Sequence, residues 1–414
     1  MTTDTFVHRP SAPDAPVSGG PLSGLSVIIQ PDLSVRDWPT DAGSKALSGF
    51  CAVFDATLIS RLKGAGASIA GSAPMAELGF GINGSALARI LAANNTLHAG
   101  LMTDTLGETR IGACLAGLWG FKPTWGNLSR YGLTGLVPSM EVTGILAKHP
   151  ADIAKMMAAM AGPDDNDGSM CVEPPPDFSV PANVQHSEGK PFCIGVPKNM
   201  PALSETALAK AFSAGRDAIA GSGFTVKEIE FPDFQLIASA HQIIAAVEAS
   251  SSAGKYDGVR YGRREDMDGN WNDMYLAFRG AAFDPLIKTF LMQGAYFQFQ
   301  DYEAFENACI LRRTLLSQVS ALFTQVDFLA LPTWGETTDP FSADTISDTY
   351  AAFSLTLAAN LFGLPALHIP NLAISAENNS HDVGVQLLGS RMGDAGVLAA
   401  GQALFHHNQG AFPS

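Results

Sequence analysis

The chain has 414 residues, of which 46% are hydrophobic and 16% are charged, and its formal net charge at pH 7 is −15. A chain of this length buries a sizeable core, and this composition is typical of a close-packed α/β protein. The negative charge, and the lack of any run of Lys and Arg, argue against direct binding to nucleic acid or to an anionic membrane. The longest apolar runs fall short of the roughly 18 residues that a transmembrane helix needs.

The cysteines and histidines predict neither disulfides nor a metal site. The cysteines are odd in number, far apart and never in a C-x-x-C pair, which favours free thiols in a reducing cytoplasm: Cys51, Cys114, Cys171, Cys193 and Cys309. The nine histidines form no H-E-x-x-H motif, so we expect no metal and no cofactor. The first residues lack the basic and apolar regions of a secretory signal, and a cytoplasmic location is predicted.

The first half of the chain alternates short apolar runs with helical patterns. Residues 1–20 are rich in Pro, Ser, Gly and Asp and predict a disordered arm, followed by a single domain over 21–414. The patterns predict strands at 25–29, 67–71 and 99–102, and helices within 47–66 and over 85–94. This rhythm is typical of a parallel or mixed sheet that is covered by helices.

The second half begins after a long connection. Residues 162–190 are acidic and rich in proline and predict no regular element. A helix capped by Ser204 is predicted to end at Gly221–Gly223, with Leu208, Phe212, Gly215 and Ile219 on one face. The remaining apolar runs predict strands at 192–197, 328–332, 366–370 and 383–388.

Several sequence blocks resemble the amidase signature family in the order in which that family carries them. They include 103-TDTLGETRIGACLAGLWGFKPTWG-126, 247-VEASSSAGKYDGVRYGRR-264 and 353-FSLTLAANLFGLPALHIP-370. Within the family, the second half is similar to the A subunit of tRNA-dependent glutamine/asparagine amidotransferases and to small amidases such as carboxybiuret hydrolase. The resemblance implies an α/β/α fold, in which helices cover both faces of a large mixed β-sheet.

The resemblance also implies a Lys–Ser–Ser catalytic triad, and here each of its three positions carries another residue. Gln30 follows the first strand, where the family has its lysine. Gly84 takes the place of the bridging serine, with Ser85 beside it, and Glu108 takes the place of the nucleophile. Gln30 cannot accept a proton and Gly84 cannot relay one, and removing the nucleophile alone costs a serine hydrolase about a million-fold in rate. The family's serine chemistry is therefore not expected, unless Ser85 or Thr109 supplies a hydroxyl.

Two interpretations of Glu108 remain open. In a dry cleft beside the neutral Gln30, its pKa should rise, which would suit a general acid or base for lyase, hydratase or isomerase chemistry on a small carboxylate. Alternatively, Glu108 fills the old pocket and pairs with a nearby base such as Arg110.

The remaining site residues follow from the resemblance. The backbone N–H groups of the Gly-rich turn, here Thr105, Leu106 and Gly107, would face the substrate, while Asp104 and Arg110 would fix the turn. Arg260 in the intact 257-DGVRYG-262 block would hold the carboxylate of a small acid or amide, although a salt bridge to Asp257 or Glu248 explains it equally well. Lys122 is expected at the surface or just behind the site.

Three functions are consistent with these residues. The first is a non-hydrolytic homologue that binds a small acidic or amide metabolite or acts as a partner subunit. The second is an enzyme of altered mechanism that uses Glu108, and the third is a residual amidase. An accessory subunit or a homo-oligomer is a plausible assembly.

Overall fold

A computed structural model of the chain describes residues 5–10, 19–178, 191–200, 207–262, 269–335, 339–370 and 384–408. Within these residues, ten strands form one mixed sheet in the order β2-β1-β3-β5-β4-β9-β10-β8-β6-β7. The strands are β1 (Ser26–Ile29), β2 (Ser68–Ser72), β3 (Ala99–Asp104), β4 (Trp119–Lys122), β5 (Val142–Ala147), β6 (Cys193–Pro197), β7 (Thr225–Ile229), β8 (Phe328–Pro332), β9 (Ala366–Ile369) and β10 (Val385–Gly389). Parallel pairs lie at both ends of the sheet, and the five pairings from β3 to β8 through its middle are antiparallel.

Helices cover both faces of this sheet. They are α1 (Thr57–Gly64), α2 (Leu87–Ala93), α3 (Glu108–Ala116), α4 (Pro150–Met160), α5 (Ala207–Gly221), α6 (Phe234–Ala253), α7 (Trp271–Ala282), α8 (Pro285–Phe299), α9 (Tyr302–Leu322), α10 (Ile346–Ala352), α11 (Leu357–Leu361) and α12 (Asp394–Asn408). None of the helices described is long and apolar enough to cross a membrane.

The core is divided by the sheet into two layers because side chains alternate along each strand. In β1, Ile28 packs into the layer that also contains residues of α6, α8 and α9. Its neighbours Val27 and Ile29 pack into the opposite layer, with residues of α1, α4 and α12. Strands that are buried on both faces read as continuous apolar runs, which is why these strands could be found from the sequence.

The structure confirms the predicted fold class and most of the predicted elements. Every predicted strand is present within one or two residues of its expected bounds, and α1, α2 and α5 occupy the predicted helical segments. The predicted cap at Ser204 and residues 179–190 of the predicted connection lie outside the described residues. The prediction of a disordered arm over 1–20 is wrong at residues 5–10, because Val7 N–H donates to the Ser72 carbonyl and Ser72 N–H donates to the His8 carbonyl. These bonds pair the segment with the edge strand β2.

Candidate functional site

The candidate site is the turn that joins β3 to α3. Gly107 is the residue immediately before the helix, with φ +129°. A Cβ added to Gly107 would lie 2.2 Å from Thr356 Oγ1, and that hydroxyl donates to the Leu106 carbonyl at 2.6 Å. Only glycine therefore fits here, on both conformational and steric grounds.

The carboxylate of Glu108 folds back onto this turn. Its Oε2 accepts hydrogen bonds from the N–H groups of Thr105 at 2.6 Å, Leu106 at 2.7 Å and Gly107 at 3.0 Å. Its Oε1 accepts from the N–H of Gly81, at 3.0 Å, on a separate loop. The side chain is 1% exposed, so the donors that could bind an external oxyanion are occupied by a side chain of the protein itself.

Burial raises the pKa of Glu108 to about 7, and the nearby charge of Asp104 adds to this rise, while the hydrogen bonds from the turn oppose it. The direction agrees with the first interpretation of Glu108. In the alternative, Glu108 fills the old pocket and pairs with a nearby base such as Arg110; only the choice of Arg110 is contradicted, because the ion pair of Arg110 is with Asp104.

Asp104 and Arg110 form a fully buried ion pair beneath the turn. Arg110 Nη2 lies 3.1 Å from Asp104 Oδ1, and its guanidinium also donates to the side chains of Asn360 and Gln386. Asp104 Oδ2 accepts from the N–H of Thr109 in the first turn of α3. Because both charges have several partners, the pair can remain buried and link β3, α3 and α11.

Gln30 and an unpredicted carboxylate, Asp32, lie where β1 ends. The Oε1 atom of Gln30 accepts from the N–H of Thr103 at 2.9 Å, so the side chain extends the ladder between β1 and β3. Asp32 is fully buried and accepts from the hydroxyl of Thr103, and burial raises its pKa to about 7. A carboxylate two residues beyond Gln30 was visible in the sequence, but nothing there indicated that it is buried.

The loop that carries Gly84 and Ser85 contacts the turn through the N–H of Gly81, which donates to Glu108. Gly84 has φ +80° and lines a cavity of about 470 Å³ with Glu77 and Asp284. Ser85 is 5% exposed, and its N–H donates to the carbonyl of Ile82.

His241 and Tyr350 support the turn from the other side, and neither was found from the sequence. His241 Nε2 lies 3.0 Å from the carbonyl oxygen of Thr105, so this nitrogen carries the proton. The Nδ1 atom then accepts from the hydroxyl of Tyr350 at 3.0 Å. Burial lowers the pKa of His241 to about 4, which keeps the ring neutral. The Thr105–Leu106 peptide is thus bound on both sides, by His241 at its carbonyl and by Glu108 at its N–H.

Arg260 lines a cavity that the residues of this turn do not line. It lines a cavity of about 580 Å³ with Lys255 and Tyr256, and neither Gln30 nor Glu108 lines that cavity. The Arg260 side chain is 72% exposed, and its Nε lies 3.5 Å from Asp257 Oδ2. Among the cavities of the described residues, Arg260 and Glu108 therefore do not share one.

Comparison with known proteins gives the family. The family described as Amidase matches residues 8–96 and 84–398. The chain belongs to the amidase signature family. The A subunit of the Natronomonas pharaonis glutamyl-tRNA(Gln) amidotransferase is 31% identical in an alignment of length 418, which covers 94% of this chain and 97% of that protein. The Thermus thermophilus protein of the same name is 33% identical in an alignment of length 419, which covers 93% of this chain and 85% of that protein.

Solved amidase signature structures have the same fold. The A subunit of glutamyl-tRNA(Gln) amidotransferase from Thermotoga maritima superposes with a TM-score of 0.75 at 24% identity, covering 96% of this chain and 86% of that chain. A second structure is an inhibitor-bound, vestigial protein complex that reveals the evolutionary origins of an s-triazine catabolic enzyme. Its chain superposes with a TM-score of 0.78 at 25% identity, covering 94% of this chain and 84% of that chain. By name, the amidotransferase relatives are subunits of larger enzymes.

Lys122 lies in the amidase signature block 121–126. It was expected at the surface or just behind the site, and the surface location is wrong, because the side chain is fully buried. Its Nζ donates to the Pro123 carbonyl at 2.8 Å, and burial lowers its pKa to about 7. Among the residues described, no group of three or more His, Cys, Asp or Glu side chains is placed to hold a metal ion.

Proposed function

We propose that this amidase signature protein does not hydrolyse amides by a Lys–Ser–Ser mechanism and instead binds a small acid or amide. The observation that supports this is the position of the Glu108 carboxylate. An acyl-transfer site holds the developing oxyanion with N–H donors at about 2.7–3.1 Å. Here one oxygen of Glu108 takes all three N–H groups of the turn, so a reacting oxygen could enter only if Glu108 left.

The side chains at the other two triad positions support the same proposal. The Oε1 atom of Gln30 is engaged with the N–H of Thr103, and an amide is not a base. Gly84 has no hydroxyl. Thr109, the nearest hydroxyl after Glu108 in the chain, is buried, and its Oγ1 has no hydrogen-bond partner among the residues described. Among these residues, no base is therefore hydrogen-bonded to it to activate it.

The Arg260 cavity supports the binding half of the proposal. Its cations are Arg260 and Lys255, which suit a carboxylate. The hydroxyl of Tyr256, which also lines the cavity, is buried and has no partner among the described residues. A ligand with a carboxylate and a second polar group would satisfy both features. Because the amidotransferase relatives are by name parts of larger enzymes, we include a second protein chain as a partner.

Labelling and ammonia release test the loss of hydrolysis. The purified chain should release no ammonia from small carboxamides and should not be labelled by a serine-directed fluorophosphonate, whereas a Lys–Ser–Ser amidase in the same assay should do both. The matched variant restores all three residues, as Gln30→Lys, Gly84→Ser and Glu108→Ser, and should become labelled. Labelling or turnover of the parent protein at the rate of the control amidase would overturn the proposal.

Calorimetric titration with small carboxylates and carboxamides tests the binding. Arg260→Met should weaken binding at least tenfold. Arg216→Met, which changes a half-exposed arginine of α5 outside the cavity, should leave binding unchanged. Equal affinities in the two variants would place the ligand elsewhere.

The raised pKa of Glu108 favours a second candidate, an enzyme of altered mechanism in which Glu108 is a general acid or base. This candidate requires that Glu108→Gln abolishes turnover of a small carboxylate while the far-UV circular dichroism spectrum is retained. Binding at the Arg260 cavity that survives Glu108→Gln, with no turnover in either protein, would support the non-hydrolytic proposal instead.

A further inference from the structure

The Glu108 side chain occupies a site with the features of a carboxylate receptor. Its two oxygens accept from four backbone N–H groups, three on the turn and one on the separate loop at Gly81. Backbone N–H groups that converge in this way form concave sites for anions. The Gly81 donor means that the receptor is more than the N-terminus of α3, because two distant segments build it.

The receptor is held in shape by contacts that do not involve Glu108. His241 and Thr356 bind the carbonyls of Thr105 and Leu106, respectively, and so fix the peptides whose N–H groups point at the carboxylate. The Asp104–Arg110 pair fixes the start of α3. Removing the Glu108 carboxylate would therefore leave four converging donors rather than a collapsed turn.

We propose that this turn is an intact receptor for a small monocarboxylate and that Glu108 is its built-in occupant. The inference deepens the proposed function, since the same contact closes the site to a reacting oxyanion. It also explains why a small acid bound by the native chain needs another cavity, such as that of Arg260.

The size of the Glu108 side chain defines the ligand. Beyond Cβ, a glutamate side chain consists of one methylene and a carboxylate, which are the heavy atoms of acetate. Glu108→Ala should therefore leave a polar cavity of the size and hydrogen-bonding pattern of acetate. Because the parent side chain is 1% exposed, larger acids such as benzoate have no room.

Equilibrium dialysis with radiolabelled acetate tests this inference at about pH 5.5, because the burial that raises the pKa of Glu108 in this site also favours a bound acetate that carries a proton. Glu108→Ala should bind about one acetate per chain, and sodium acetate should raise its melting temperature by several degrees over the same concentration of sodium chloride. The parent protein should show neither effect, and benzoate should not compete. The matched control is Glu77→Ala, which removes another buried glutamate and should gain no acetate site. Within the described part of the chain, Glu77 accepts one backbone N–H, from Asp284.

Three results would overturn the inference: no saturable binding to a folded Glu108→Ala protein, equal binding to the parent, or equal binding to Glu77→Ala. If Glu108→Ala does not fold, Glu108→Ser places an oxygen where the methylene was, and the same outcomes apply with formate in place of acetate. The result is independent of the hydrolysis assay, because the parent can fail to cleave amides whether or not the emptied turn binds acetate.

Discussion

At the scale of single residues, the central observation is a buried carboxylate, that of Glu108, which binds its own turn. Burial raises the pKa of Glu108 from 4.5 in the unfolded chain to about 7, so between these pH values the folded state holds a proton that the unfolded state has lost. The stability contributed by this proton is fully present below pH 4.5 and is lost as the pH rises through 7.

Urea denaturation of the parent and of Glu108→Gln at pH 5 and pH 8 checks this sign. The difference in the free energy of unfolding, parent minus variant, should be larger at pH 5 and should shrink by up to about 3 kcal/mol at pH 8. The other titrating groups are shared by both proteins, so they cancel. A difference that grows with pH would mean that the four N–H donors hold the carboxylate ionised and its folded pKa low.

At the scale of elements, the two glycines that flank α3 differ in what surrounds them. Gly107 precedes the helix with φ +129°, and an added Cβ would lie 2.2 Å from Thr356 Oγ1. Gly117 ends the helix with φ +65°, and an added Cβ there would meet nothing within 4 Å. Gly117→Ala should therefore cost about 1 kcal/mol of stability through backbone strain alone, and Gly107→Ala should cost more than about 3 kcal/mol because the clash adds to the strain. Similar urea midpoints for the two variants would show that the turn can shift to make room for the added methyl group at position 107.

The sequence predicts those features of the elements that depend on burial along the chain, and it does not predict contacts between distant segments. Strands such as β3 and β8 are apolar throughout because they are buried on both faces, and this burial can be read from the sequence. The T-D-T block placed Glu108 in its turn. The tertiary contacts of Glu108 and its turn could not be predicted. Gly81 binds Glu108 and His241 binds the carbonyl of Thr105 only through the tertiary fold, and both contacts involve backbone atoms, which leave no residue pattern. The burial of Lys122 could not be predicted for a related reason. A lysine is almost never fully buried, and the sequence gives no sign that this one is.

At the scale of the whole molecule, the sheet buries titratable groups of both signs, and their effects on stability oppose one another. Below pH 7, the raised pKa values of Asp32 and Glu108 make stability fall with pH. The lowered pKa values of His241 and His368, about 4 and about 3, make it rise up to pH 6.5, because the unfolded imidazoles bind protons that the folded ones do not. These two pairs nearly cancel between about pH 4.5 and 6.5.

Above neutral pH, Lys122 makes stability rise with pH. Burial lowers its pKa from 10.5 to about 7, so from pH 7 upward the unfolded chain holds a proton that the folded chain has released, and its contribution to stability should rise by up to about 1.4 kcal/mol per pH unit. Urea unfolding between pH 7.5 and 9, in enough salt to screen the net charge, measures this slope. Lys122→Met removes the titrating group and keeps an unbranched side chain in the same space, so its slope should be smaller than that of the parent by that amount. Equal slopes in the two proteins would mean that Lys122 stays protonated beside Asp104 and Asp394, and that the buried charges in this half of the sheet are paired rather than neutralised.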